Sequence, residues 1–71
     1  MKKPKPEQII AARHSVGHTQ TEAAHTIFSA LRTWQNWEAG SREMPRSAFV
    51  LYLILTEQIT VDEARQLKVR D

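Results

Sequence analysis

The stretch TQTEAAHTIFSALRTWQNWEAG, residues 19–40, decides the fold. It opens with Thr19 and, three residues later, Glu22, which is the spacing of a capping box at the start of a helix. Its second half places apolar side chains at the spacing of one helix face: Leu31, Trp34 and Trp37. Gly40 ends that pattern. The spacing predicts two short helices, one from Thr19 and one over about 30–39, with a short connection between them.

Three further helices are predicted outside this stretch. Proline in a first turn and Gly17 as a left-handed cap bound a helix over 6–16. Another is expected over about 45–56. Its apolar run 49–55 also fits a buried strand, but a single strand would have no partner here, which favours a helix. A second capping box at Thr60 starts a short fifth helix. The sequence therefore predicts an all-α, compact bundle of four to five short helices.

Length and charge predict one small domain with a basic arm. The 71 residues allow a single domain, over 6–71, preceded by a flexible arm over 1–5 that carries three lysines and no acid. The formal net charge of +2 is a weak argument for an anionic partner, but the positive charge is concentrated at the front and the middle of the chain. The residues concerned are Lys2, Lys3, Lys5, Arg32, Arg42 and Arg46.

Several function classes are excluded by composition. The chain has no cysteine, which removes disulfides, thiolate zinc sites and thiol nucleophiles and suits the cytoplasm. The longest apolar run, Ala48 to Leu55, is far shorter than the ~18 residues that span a membrane, and the basic start leads into no signal peptide. Two glycines are too few for a nucleotide-binding loop. No catalytic set has a suggestive spacing, so we expect no enzyme, no cofactor and no metal site at His14, His18 or His25.

The residues of the central stretch resemble the lambda-repressor-like (Cro-type, or XRE) family of DNA-binding proteins. The resemblance covers about residues 6–56 and rests on the capping-box segment 19–24, the Trp-Gln-x-Trp-Glu-x-Gly pattern at 34–40 and Arg-x-Met-Pro at 42–45. Small phage- and plasmid-borne regulators carry a similar pattern, and the short anti-CRISPR-associated repressors are one group among them that the chain resembles. The resemblance implies a helix-turn-helix whose second helix, about 30–39, enters the DNA major groove.

Site residues follow from the resemblance position by position. The positions that typically meet base edges are Leu31, Arg32, Gln35 and Asn36. Arginine can bind guanine with two hydrogen bonds, and either amide can bind adenine. The positions that typically contact phosphates are Thr19, Gln20, Thr33, Ser41, Arg42 and Arg46. Gln20 would also brace the recognition helix, and Glu38 and Gly40 match structural positions at its end.

The sequence departs from the family pattern in the connection between the two helices. Phe28 stands where the family commonly has glycine, and Ala30 where it commonly has a serine or threonine cap. Because phenylalanine resists the left-handed backbone that glycine adopts, we expect a turn that is longer or differently shaped. Trp34 and Trp37 are expected in the core because their spacing is inward.

The expected function is that of a repressor acting close to its own gene. One helix-turn-helix reads only a few base pairs, so a homodimer on an inverted-repeat operator in double-stranded DNA is expected. The fourth and fifth helices offer more apolar residues than one small core needs, and these predict the dimer surface: Tyr52, Ile54, Ile59, Val61 and Leu67. One alternative is the antitoxin of a toxin–antitoxin operon. Another is a protein-interaction module that has lost DNA binding, against which Arg32, Arg42 and Arg46 argue.

Overall fold

The structure, a computed structural model, describes residues 2–67 and places five α-helices and no strand among them. In chain order these are α1 (Pro6–Ser15), α2 (Gln20–Thr26), α3 (Leu31–Ala39), α4 (Arg46–Leu55) and α5 (Val61–Gln66). The predicted all-α bundle of short helices is confirmed, including the helix over the apolar run of α4. Met1 and residues 68–71, which the sequence assigned to the arm and to the end of the domain, lie outside the described residues.

Both predicted capping boxes are present at the starts of α2 and α5. The Thr19 hydroxyl accepts from the Glu22 amide at 3.1 Å, and the Glu22 carboxylate accepts from the Thr19 amide at 2.8 Å. Thr60 and Glu63 repeat this pair at 3.0 and 2.8 Å. Each box satisfies two backbone donors that a helix start otherwise leaves unpaired, which explains why such short helices form at these positions.

The ends of α1 to α4 share one pair of backbone hydrogen bonds. At the end of α1, the Gly17 amide donates to the His14 carbonyl and the His18 amide donates to the Arg13 carbonyl, at 3.1 and 3.2 Å. These two bonds form the Schellman motif, which needs one residue with a positive φ at the end of the helix. The residues that supply it in the four helices are Gly17 (71°), Phe28 (60°), Gly40 (82°) and Glu57 (60°).

The connection Ile27–Ala30 differs from what we expected at Phe28. Phenylalanine adopts the left-handed backbone that it was predicted to resist, so that prediction is wrong. The reason is local: with this backbone the Ser29 amide reaches the Ala24 carbonyl at 2.8 Å, and the Phe28 amide reaches that of His25 at 3.1 Å. Both bonds close the end of α2. Ala30 precedes α3 without a side-chain cap, as its residue type predicts.

The core is built around three aromatic rings that contact one another at steep angles. Trp34 lies 4.9 Å from Tyr52 and 5.7 Å from Trp37 between ring centroids, and both tryptophans are buried as predicted. The prediction of Tyr52 on a dimer surface is wrong, because its side chain is fully buried and its hydroxyl lies 2.9 Å from Nδ1 of His18. The remaining buried hydrophobic residues are Ile9, Ala12, Ala23, Ala24, Met44 and Phe49.

The basic arm lies against the loop that follows α3. Pro4 is buried, and the Lys3 ammonium lies 3.3 Å from the Glu43 carboxylate. The flexibility expected of this arm stays a prediction. Within residues 2–67, none of the five helices has the length and apolar character needed to cross a membrane.

Candidate nucleic-acid interface

Glu38 is the centre of a hydrogen-bond network that joins three helices. Its carboxylate accepts from Arg13 Nε at 2.6 Å and Nη2 at 3.1 Å, which fixes α3 to α1. It also accepts from Trp34 Nε1 at 2.6 Å and from Gln20 Nε2 at 3.0 Å, the latter from α2. The Glu38 side chain is only 6% exposed, so these four bonds are made largely out of water. The orientation of α3 is therefore set by a compact polar cluster, which we call the Glu38 network: Arg13, Gln20, Trp34 and Glu38.

The charges of this network are stabilised by its geometry. Burial raises the pKa of Glu38, but the hydrogen bonds from Arg13, Trp34 and Gln20 and the arginine charge outweigh it, so that the pKa is lowered overall. The hydrogen bond to Glu38 raises the pKa of Arg13 against the opposing effect of its burial. Both groups are therefore ionised at neutral pH, and the two-pronged pair has the geometry of a strong charge-assisted interaction.

Gln20 links the network to the outer face of α3. Its Oε1 accepts from Gln35 Nε2 at 3.4 Å, while its own amide donates to Glu38. The expected bracing of α3 by Gln20 matches these contacts. The amide nitrogen of Gln20 carries two hydrogens, and one of them remains to donate to a phosphate. The contact of Gln20 with a phosphate stays a prediction.

The outer face of α3 presents three of the four predicted base-contacting residues together. Leu31, Arg32 and Gln35 are exposed, and no acidic side chain within residues 2–67 pairs with Arg32. Leu31, whose spacing matches that of the inward tryptophans, is 38% exposed and lies at the surface. Asn36 is half-buried, and its Oδ1 accepts from the Ser41 hydroxyl at 3.2 Å. The structure thus turns Asn36 toward the following loop and leaves the other three side chains at the surface.

The predicted phosphate-contacting residues lie on both sides of α3. At the start of α2, Thr19 is exposed, but its amide and hydroxyl oxygen are used by Glu22, which leaves the hydroxyl hydrogen to donate. After α3, Ser41 and Arg42 are exposed in the loop, and Arg46 is half-buried at the start of α4. Thr33 is half-buried on α3 itself.

An open groove of about 1150 Å³ brings the basic arm beside this loop. Five basic residues and one acid, Glu43, line it, and its apolar part includes Val50, Ile54 and Leu67. The basic residues are Lys2, Lys3, Lys5, Arg42 and Arg46. The sequence shows the front and middle clusters of positive charge but does not place them together, because 37 to 44 residues separate the lysines of the arm from Arg42 and Arg46.

Sequence reasoning also missed the role of Arg13. It lies in α1 between Ile9 and Val16, among apolar residues of the inward face. The sequence does carry a signal for this pair. Arg13 occupies an inward position of one helix and Glu38 an inward position of another, and buried charges are normally paired. Among residues 2–67, no three His, Cys, Asp or Glu side chains lie close enough together to hold a metal ion.

Comparison with protein-family models found no match for this chain, and comparison with curated proteins found no relative. The family resemblance therefore rests on the residues themselves.

Proposed function

We propose that the protein is a sequence-specific DNA-binding repressor of the lambda-repressor-like type, acting in the cytoplasm without enzymatic activity. In this proposal α2, the connection Ile27–Ala30 and α3 form a helix-turn-helix, with α3 in the major groove. The observation that carries it is the exposed face of α3, which offers Leu31, Arg32 and Gln35 on a helix held from behind by the Glu38 network.

The chemistry of that face suits the edges of base pairs. Arg32 supplies a fork of donors that matches guanine, and Gln35 supplies a donor and an acceptor that match adenine. The one acid of α3, Glu38, is turned inward and paired with Arg13, so it presents little negative charge to a phosphate backbone. A reading helix must hold its side chains in a fixed geometry, and the Glu38 network supplies that support.

The flanking positive charge supports binding of the DNA backbone. Lys2, Lys3, Lys5, Arg42 and Arg46 line one groove, next to the exposed Ser41. Contacts of this kind fix the register of a protein on the duplex without reading sequence, and they release counterions. The proposal therefore requires an affinity that falls steeply as salt rises.

We further propose that two copies of the chain bind an inverted repeat through a face on α4 and α5. Leu51, Leu55 and Val61 are 41%, 48% and 54% exposed, which leaves apolar surface on these two helices that the core does not use. Of the other residues predicted on this surface, Ile54, Ile59 and Leu67 are half-buried. Two copies related by a two-fold axis would place their α3 helices about 34–36 Å apart, one turn of DNA.

Binding of the purified protein to the DNA upstream of its own gene, against scrambled DNA of equal length, tests the proposal. We expect preferential binding to the upstream DNA and a steep loss of affinity between low and high salt. Equal, weak binding to both duplexes at low salt would refute it.

A further inference from the structure

Phe28 is the most exposed large hydrophobic residue among those described, with 92% of its surface in contact with solvent. It also has a φ of 60°, in the left-handed region that side chains with a Cβ adopt at a cost of roughly 1–2 kcal/mol. The residue thus combines backbone strain with an aromatic ring in water. Neither property stabilises the fold, and strained residues of this kind cluster at functional positions.

The other helix ends show that the turn does not need a phenylalanine. The same backbone hydrogen-bond pair closes α1, α2, α3 and α4, and glycine supplies the positive φ in two of them, Gly17 and Gly40. Glycine at position 28 would form the same turn without strain. The ring of Phe28 is therefore not explained by the end of α2.

The place of Phe28 in the chain puts its ring beside the start of α3. It lies in the connection between the two proposed DNA-docking helices, three residues before Leu31, the exposed apolar residue that begins α3. A phenyl ring makes no conventional hydrogen bond, so at the base-pair edges of the major groove it packs against apolar groups. The apolar group that a base pair presents in the major groove is the C5-methyl of thymine.

We propose that Phe28 is a specificity-determining residue that packs against a thymine C5-methyl group at the edge of each half-site. The proposal rests on the proposed function, because it requires α3 to lie in the major groove. It adds a contact from the turn, outside the set Leu31, Arg32, Gln35 and Asn36 expected from the resemblance.

The test compares Phe28→Gly with wild type, with Glu57→Gly as the matched control. Both substitutions place glycine at an exposed residue whose φ is 60°, but Glu57 ends α4, away from the proposed helix-turn-helix. We expect each variant to raise Tm by about 4 °C, because strain is relieved and no buried contact is lost. Phe28→Gly should also bind at least about fourfold more weakly to the duplex that wild type enriches from random double-stranded DNA, the loss expected for one methyl-sized contact. Glu57→Gly should bind it as wild type does.

Replacement of each thymine of that duplex by deoxyuridine, one at a time, removes one methyl group. At one position per half-site, deoxyuridine should lower the affinity of wild type about fourfold. The same replacement should leave the affinity of Phe28→Gly unchanged. Phe28→Asn, which tolerates the left-handed backbone but lacks the ring, should behave like Phe28→Gly.

Four outcomes would overturn the inference. If Phe28→Gly binds the enriched duplex as tightly as wild type, Phe28 makes no thymine contact and the proposed function stands. The same conclusion follows if, at every deoxyuridine, the variant loses as much affinity as wild type does. If Phe28→Gly lowers Tm while Glu57→Gly raises it, the ring packs within the protein. If wild type enriches no sequence at all, the proposed function fails and this inference fails with it.

Discussion

Arg13 in α1 and Glu38 in α3 form a two-pronged ion pair across 25 residues of chain, with nitrogen–oxygen distances of 2.6 and 3.1 Å. Their side chains are 15% and 6% exposed, whereas those of the ion pair Lys3–Glu43 are 59% and 77% exposed. The chain thus contains a buried and an exposed pair that can be compared directly. Removal of one partner from a buried pair leaves a charge that water cannot solvate, and this costs far more than loss of a surface pair.

Glu38→Gln should therefore lower the free energy of unfolding by about 3 kcal/mol, since it leaves the Arg13 guanidinium without its counter-charge. Glu43→Gln, the matched control, should change it by no more than about 0.5 kcal/mol. Urea denaturation followed by tryptophan fluorescence measures both. Similar small losses in the two variants would show that the Arg13–Glu38 pair does not hold α1 and α3 together.

Stability should fall in acid, and Glu38 should account for part of the fall. Its pKa is lowered in the folded protein, so the unfolded chain takes up a proton first, near the ordinary glutamate value of about 4.3. The contribution of the carboxylate is complete above that pH and is lost as pH falls through the lower folded pKa. Denaturation midpoints measured from pH 7 to pH 2 should drop more steeply for wild type than for Glu38→Gln. Parallel curves would contradict this assignment.

Arg32 and Arg42 should have different effects on DNA binding. Arg32→Ala should abolish the preference for the upstream duplex over scrambled DNA, because the side chain is expected at a base edge. Arg42→Ala should weaken binding to both duplexes similarly and reduce the slope of log affinity against log salt by about one. Salt titrations of the two variants on the two duplexes give all four comparisons. Equal losses on both duplexes for Arg32→Ala would remove it from the base-contacting set.

The dimer proposal predicts that a charge on the α4–α5 face separates the two copies. Leu55 is 48% exposed, so Leu55→Glu should leave the fold intact while it prevents burial of this face. Sedimentation should show a dimer for wild type and a monomer for Leu55→Glu at micromolar concentration. Ala11→Glu, on the exposed side of α1, is the control and should remain dimeric. A wild-type protein that sediments only as a monomer at that concentration would end the proposal.

The features predicted correctly from sequence are those with a local cause. Thr19 and Glu22 lie three residues apart, and one turn of helix brings them together whatever the rest of the chain does. Trp34 and Trp37 share a face for the same reason. Gly17 ends α1 because its backbone reaches a positive φ without strain.

The features that sequence did not predict depend on distant residues or on competing local terms. Tyr52 is buried because it meets Trp34 and His18, the latter 34 residues away, and no periodicity of α4 carries that information. The pairs Arg13–Glu38 and Lys3–Glu43 are 25 and 40 residues apart. The prediction for Phe28 considered only the preference of phenylalanine against a left-handed backbone. The two hydrogen bonds at the end of α2 outweigh that preference.

One contact of the Glu38 network has a consequence for which atoms α3 presents. An ionised carboxylate can only accept hydrogen bonds, so Gln20 must turn its NH₂ group toward Glu38 and its oxygen toward Gln35. Gln35 must then turn its own NH₂ inward to that oxygen, and its carbonyl oxygen is left to accept from whatever approaches. The direction of donation along two amides is dictated by one negative charge. A buried glutamate thereby sets the polarity of a side chain on the opposite, solvent-facing surface of the helix.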